Sequence, residues 1–213
     1  KLTNSFQSVS FFNSVWIWIY VKKILIYSVG FVLLFVYFLL TVFILPSEFL
    51  MTEQLIPQPI FEAILSETEI KLGDSFRLDI VSKNIGDYAD IHIVSVGFPD
   101  LTEIDDVVKI ATYDFSLSPS YIDVDDEIGS SYSGGVDTTF AKYPLIEAMS
   151  RPLKPDVETH FDIVVTPKNS GIFNVYVKSI GIPHSSDVSH YPFSGVLDHQ
   201  NEHVLVYSVT VNP

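Results

Sequence analysis

The sequence predicts a mainly β protein: an antiparallel β-sandwich preceded by one N-terminal transmembrane helix. Three observations predict it. A run of 22 uncharged residues, Ile24–Leu45, reads ILIYSVGFVLLFVYFLLTVFIL. Strong segments after Ile60 alternate with the period of strands. Charge is divided between these two parts. Lys1, Lys22 and Lys23 are the only charged residues before Glu48, so residues 1–47 carry +3 and the remainder −17 of a net −14.

The apolar run is the first element. At roughly 1.5 Å per residue it spans about 33 Å, the hydrocarbon thickness of a bilayer. It has no polar stripe of the kind a soluble helix shows. Gly30 is tolerable inside a membrane helix, and Pro46 ends it. A cleaved signal peptide would have a shorter apolar core and small residues at its cut site. Here the run ends in Leu45-Pro46-Ser47-Glu48-Phe49. We therefore expect an uncleaved signal anchor over 21–46. Lys22 and Lys23 place the N-terminus in the cytoplasm by the positive-inside rule, and the C-terminal domain outside the cell membrane. Residues 1–20 are expected to be an upstream or interfacial segment, with Trp16, Trp18 and Tyr20 at headgroup level. Residues 47–59 form a stalk with two prolines.

The extracytoplasmic domain covers 60–213. Gly73-Asp74 is a turn signal. Phe76, Leu78, Ile80 and Ser82 then alternate with Arg77, Asp79, Val81 and Lys83. Asn84-Ile85-Gly86-Asp87 turns the chain again. Strands are expected at Ala89–Phe98, Val107–Tyr113, Thr159–Thr166, Ile172–Ile180 and His203–Val211. Tyr143–Pro155 carries three prolines, and a single helical turn is expected at Leu145–Met149. Several short strands between Gly, Pro, Asn and Asp turns argue for a sandwich. About 150 residues can form a core without disulfides.

Ser66–Asp87 (SETEIKLGDSFRLDIVSKNIGD) resembles the first strands of CARDB-type immunoglobulin-like domains. Their pattern is a Gly-Asp turn, an alternating strand, then Asn-x-Gly-Asp. Thr166–Val177 (TPKNSGIFNVYV) resembles the E–F hairpin of the same class. Ser116–Lys154 departs from the pattern. The resemblance implies an immunoglobulin-like sandwich of archaeal and bacterial cell surfaces, S-layer-associated proteins included. It implies adhesion, spacing or assembly and no catalysis.

Candidate sites are few. Asp123, Asp125, Asp126 and Glu127 form the densest acidic cluster, and D-x-D-x-E spacing suits a calcium loop. The EF-hand pattern fails at Ile128 and Gly134. Asp100, Glu103, Asp105, Asp106 and Asp137 are further oxygen donors. His184, His190, His199 and His203 fall late in the chain and are candidate copper or zinc ligands. His92 lies on an alternating strand and reads as structural. No cysteine is present, which excludes disulfides, thiol nucleophiles and thiolate metal sites. There is no nucleophile elbow and no phosphate-binding loop. No cofactor is required, and calcium is the ion the acidic cluster suits.

The composition disfavours nucleic acid, whose phosphates need clustered Lys and Arg. The expected partners are the lipid bilayer, through Ile24–Leu45, and a protein in the envelope or a membrane complex. The expected function is a membrane-anchored binding or structural module rather than an enzyme, as part of a surface assembly. A pilin-like filament subunit and a copper- or zinc-binding extracytoplasmic domain are the alternatives.

Overall fold

A computed structural model describes residues 4–41, 55–128, 139–183 and 188–213. The chain divides into two compact units, Lys1–Glu53 and Gln54–Pro213.

The first unit is built on helix α1, Asn4–Leu39. Its Tyr20–Leu39 stretch is long and apolar enough to cross a membrane, with a mean hydropathy of 1.9 and none of it buried. Polar side chains here close on their own helix. Ser28 Oγ donates to the Leu25 carbonyl at 2.9 Å, and Thr41 Oγ1 to that of Tyr37 at 2.9 Å. Such back-bonding satisfies these two hydroxyls within the helix itself. Lys22 Nζ lies 3.4 Å from the Trp18 ring centroid, a cation–π contact one turn apart. The helix runs through Lys22-Lys23 from Asn4 without a break. Nothing in Asn4–Tyr20 breaks a helix, since neither Pro nor Gly occurs there. The stretch 42–54, with most of the stalk, lies outside the described residues.

The second unit is β throughout. In chain order its strands are β1 (Pro59–Leu65), β2 (Glu69–Lys71), β3 (Phe76–Asn84), β4 (Ile91–Gly97), β5 (Val108–Tyr113), β6 (Ser120–Ile122) and β7 (Glu127–Ile128). Then follow β8 (Thr139–Phe140), β9 (Leu145–Ser150), β10 (Glu158–Val165), β11 (Gly171–Ile182), β12 (Ser189–Tyr191), β13 (Val196–Leu197) and β14 (His203–Asn212). One sheet has the order β1-β3-β10-β5, and the larger runs β13-β14-β11-β4-β9-β6. These are the A-B-E-D and G-F-C orders of an immunoglobulin sandwich. β2 runs parallel to β14, as a short second part of strand A.

Alternation in the sequence places the core. Phe76, Leu78 and Ile80 of β3, with Phe161 and Ile163 of the adjacent β10, pack in one core with Val94 and Val96 of β4 and Val175 and Val177 of β11, all buried. Burying each such side chain contributes roughly 1.5–3 kcal/mol. The outward face of the smaller sheet carries charge, with an Arg77–Asp162 ion pair and a Lys83–Glu158 pair at 3.5 Å.

Two local expectations are corrected. Leu145–Met149 is not a helical turn; it belongs to β9, which pairs with β4 through Ile93↔Met149 and Gly97↔Leu145. All six residues of β9 are buried, so a strand covered on both faces shows no period. The Thr166–Val177 segment is not a hairpin either. β10 and β11 lie in different sheets, and the turn at 167–170 carries the chain across the sandwich. The departing segment Ser116–Lys154 supplies β6 to β9, of which β9 and β6 extend the larger sheet beyond β4 while β7 and β8 pair in a small sheet of their own.

Candidate functional site

At β4, β9 and the second half of β11 the larger sheet is buried on both faces. Its inner face meets the core. Its outer face is covered by the chain around Tyr143 and by the tight connection from β13 to β14. Gly97 permits the first contact: a Cβ there would fall 2.5 Å from Tyr143 Cε2. Tyr143 stands edge-on to Tyr176 at 5.9 Å and to His199 at 4.9 Å between ring centroids.

Beneath this cover sits Lys178 of β11, with its side chain only 8% exposed. Register places it opposite Ser95 of β4, which in turn is opposite Glu147 of β9. Lys178 Nζ donates to Asp198 Oδ2 at 2.7 Å, to Gln200 Oε1 at 2.5 Å and to Glu202 Oε2 at 2.5 Å. The ammonium thus spends all three protons on the β13–β14 connection. Asp198 is 1% exposed at its side chain. Its Oδ1 accepts from the backbone N–H groups of Gln200 at 2.8 Å and Glu202 at 3.0 Å. The other oxygen of Glu202 faces His190 Nε2 at 2.8 Å.

Burial raises the Glu202 carboxyl, but His190 and Lys178 outweigh it and hold the group at about 2. Glu147 goes the other way. Burial pushes it up to about 7 against the pull of Lys178, with the Glu202 charge adding to the rise. Burial also raises the Tyr143 phenol, with Asp198, Tyr176 and Glu202 adding to it, and lowers the His199 imidazole. A space of about 10 Å³ remains between Ser95, Tyr143, Tyr176, Lys178, Asp198 and Gln200.

A second polar cluster lies inside the sandwich. His92 of β4 is fully buried. Its Nε2 meets Ser179 Oγ at 2.9 Å and Ser82 Oγ at 3.1 Å, and the two hydroxyls stand 3.3 Å apart. Antibody domains pin strands B and F with a disulfide beside a strand C tryptophan. This chain ties the same three strands with hydrogen bonds. Burial pushes His92 down to about 4.

The sequence-predicted metal residues are placed as follows. Asp123, Asp125, Asp126 and Glu127 are exposed around a tight turn. Asp126 Oδ2 accepts from Asp123 N at 3.1 Å, and Asp125 N donates to the Ala141 carbonyl at 2.8 Å. Asp100 Oδ2 is held by Asn174, from N at 2.7 Å and Nδ2 at 3.0 Å. His190 and His203 line one open cleft of about 490 Å³ with Glu202 and Phe193. His199 lies instead under the Tyr143 cover, and His184 and Asp137 lie outside the described residues. Among the described residues, no three His, Asp or Glu side chains stand where they would hold a metal ion.

Lys178, Glu147, Tyr143 and Gln200 were not singled out by sequence. Alternation puts Tyr176 and Lys178 on one face of β11, but nothing local says that face is covered.

No family model and no curated protein matches the sequence. Solved structures do. The CARDB domain of the PF1109 protein from Pyrococcus furiosus, solved in complex with di-metal ions, is 14% identical. It matches at a TM-score of 0.37 over 76% of this chain and 98% of that one. It belongs to the class that the turn and strand motifs resemble. Spo0M, a sporulation control protein from Bacillus subtilis, is 11% identical at a TM-score of 0.31, over 74% of this chain and 51% of that one. A β-glucosidase from Listeria innocua is 18% identical at 0.34, over 73% of this chain and 16% of that one. These are distant likenesses of fold.

Proposed function

We propose that the protein is a membrane-anchored extracytoplasmic module of the cell envelope, acting by binding or bracing other components of a surface assembly. The supporting observation is the charge division laid onto two separate units. One is an apolar helix with a lysine pair near residue 20; the other is a self-contained sandwich that carries −17 with its stalk. The positive-inside rule then puts the sandwich outside. An acidic surface of this size favours a basic protein partner, or cation-bridged contact with other acidic surfaces.

The sandwich limits pairing at its larger sheet by ending it in short strands, β13 with two residues and β6 with three. Tyr121 Oη accepts from Ile110 N at 3.4 Å, which occupies part of the β5 edge. The β1 edge, seven residues long, is the longest terminal strand of either sheet and the one suited to strand addition by a partner.

Membrane fractionation tests the reading. The full chain should stay in the pellet through alkaline carbonate extraction, while residues 54–213 alone should be released. Release of the full chain by carbonate would refute anchoring.

A further inference from the structure

An ammonium and a carboxylate buried together are costly, because each is taken out of water. The Lys178–Asp198 pair is such a case, with side chains 8% and 1% exposed and 2.7 Å between Nζ and Oδ2. Condensation to an amide removes both charges at once. The neighbouring groups are those that this reaction needs.

We propose that Lys178 and Asp198 form an intramolecular isopeptide bond, an amide from Nζ to Cγ that staples β11 to the connection between β13 and β14.

Glu202 is ionised and lies 2.5 Å from Nζ, held on its far side by His190. It takes one proton from the ammonium, and that proton is passed to Oδ2 of Asp198, so that the amine meets a neutral carboxyl group. The freed amine attacks Cγ of Asp198, and the carbon–nitrogen bond forms. Negative charge develops on Oδ1, where the N–H groups of Gln200 and Glu202 already point at 2.8 and 3.0 Å. Donors placed in this way stabilise an oxyanion. Oδ2, already carrying the proton relayed by Glu202, receives a second proton from nitrogen. The carbon–Oδ2 bond breaks and water leaves. One ammonium and one carboxylate become one amide and one water, so nothing is oxidised or reduced and no co-reactant is consumed. The adjoining space of about 10 Å³ is the size of one water molecule. Tyr143, Tyr176, Leu145 and Val204 shut out bulk solvent, which otherwise favours the separated ions. Holding the two groups in contact supplies the effective concentration that amide formation lacks in solution.

Mass spectrometry of the purified full chain tests this. The intact mass should be one water below the sequence mass. Trypsin should fail to cut after Lys178, because an acylated lysine is not a substrate. The fragment 169–213 should therefore appear as one peptide, lighter by one water. Asp198→Ala should restore the full mass and cleavage after Lys178. Glu202→Gln should fold, as judged by circular dichroism, and cross-link about 100-fold more slowly.

A folded wild-type chain of full mass, cut normally after Lys178, would overturn the proposal and leave a buried ion pair. Loss of water with cleavage after Lys178 intact would also overturn it, since that pattern marks a cyclised aspartate. A Glu202→Gln rate equal to wild type would overturn the role given to Glu202.

Discussion

His92 and Glu147 are buried titratable groups on opposite faces of the larger sheet, and their effects on stability oppose each other. His92 sits at about 4 in the folded protein against an ordinary 6.5. The unfolded chain therefore binds a proton that the folded one refuses, and stability falls as pH drops from 6.5 to 4. Glu147 sits at about 7 against an ordinary 4.5. Here the folded state keeps a proton that the unfolded chain has lost, so stability falls as pH rises from 4.5 to 7. Each effect amounts to roughly 3 kcal/mol over its window. Between pH 4.5 and 6.5 the two slopes cancel. Single substitutions should expose them. In Glu147→Gln, stability measured by urea unfolding should rise with pH across that window; in His92→Gln it should fall. Profiles that stay parallel to wild type would show that these groups do not titrate as placed. Of the two, only His92 was legible in the sequence. It stands in step with Val94 and Val96 on an alternating strand, whereas Glu147 sits among Leu145, Ile146, Ala148 and Met149 with no period to read.

The extension of the larger sheet depends on close contact at β4. Gly97 ends that strand, and the Tyr143 ring occupies the place of its missing Cβ. A methyl group there must displace the ring from Tyr176 and His199 and loosen the cover over Lys178. Gly97→Ala should cost about 1–3 kcal/mol. It should cost clearly less in a Tyr143→Ala background, because neighbouring sites are not additive. A double-mutant cycle with no coupling would refute the contact. β3 was readable because it keeps one solvent face, so that Phe76–Asn84 shows its period plainly, whereas strand A at Pro59–Leu65 was not expected from the sequence. β9 was not readable, because its cover comes from the insertion and the β13–β14 connection, remote in sequence from each other. The histidines show the same limit. His199 and His203 are four apart in sequence, but a tight turn into β14 sends them to different surroundings rather than to one ligand set.

At the scale of the whole molecule the organising feature is charge division between an apolar helix and an acidic sandwich. The absence of cysteine fits a domain pinned by Ser82, His92 and Ser179 and, by our proposal, by an amide between Lys178 and Asp198. It also makes a clean topology experiment possible, since any thiol introduced is the only one. Thr102 is exposed on the acidic loop before β5. The full chain carrying Thr102→Cys, expressed in intact cells, should react with a membrane-impermeant maleimide before lysis. Labelling that appears only after the membrane is broken would contradict an extracytoplasmic sandwich.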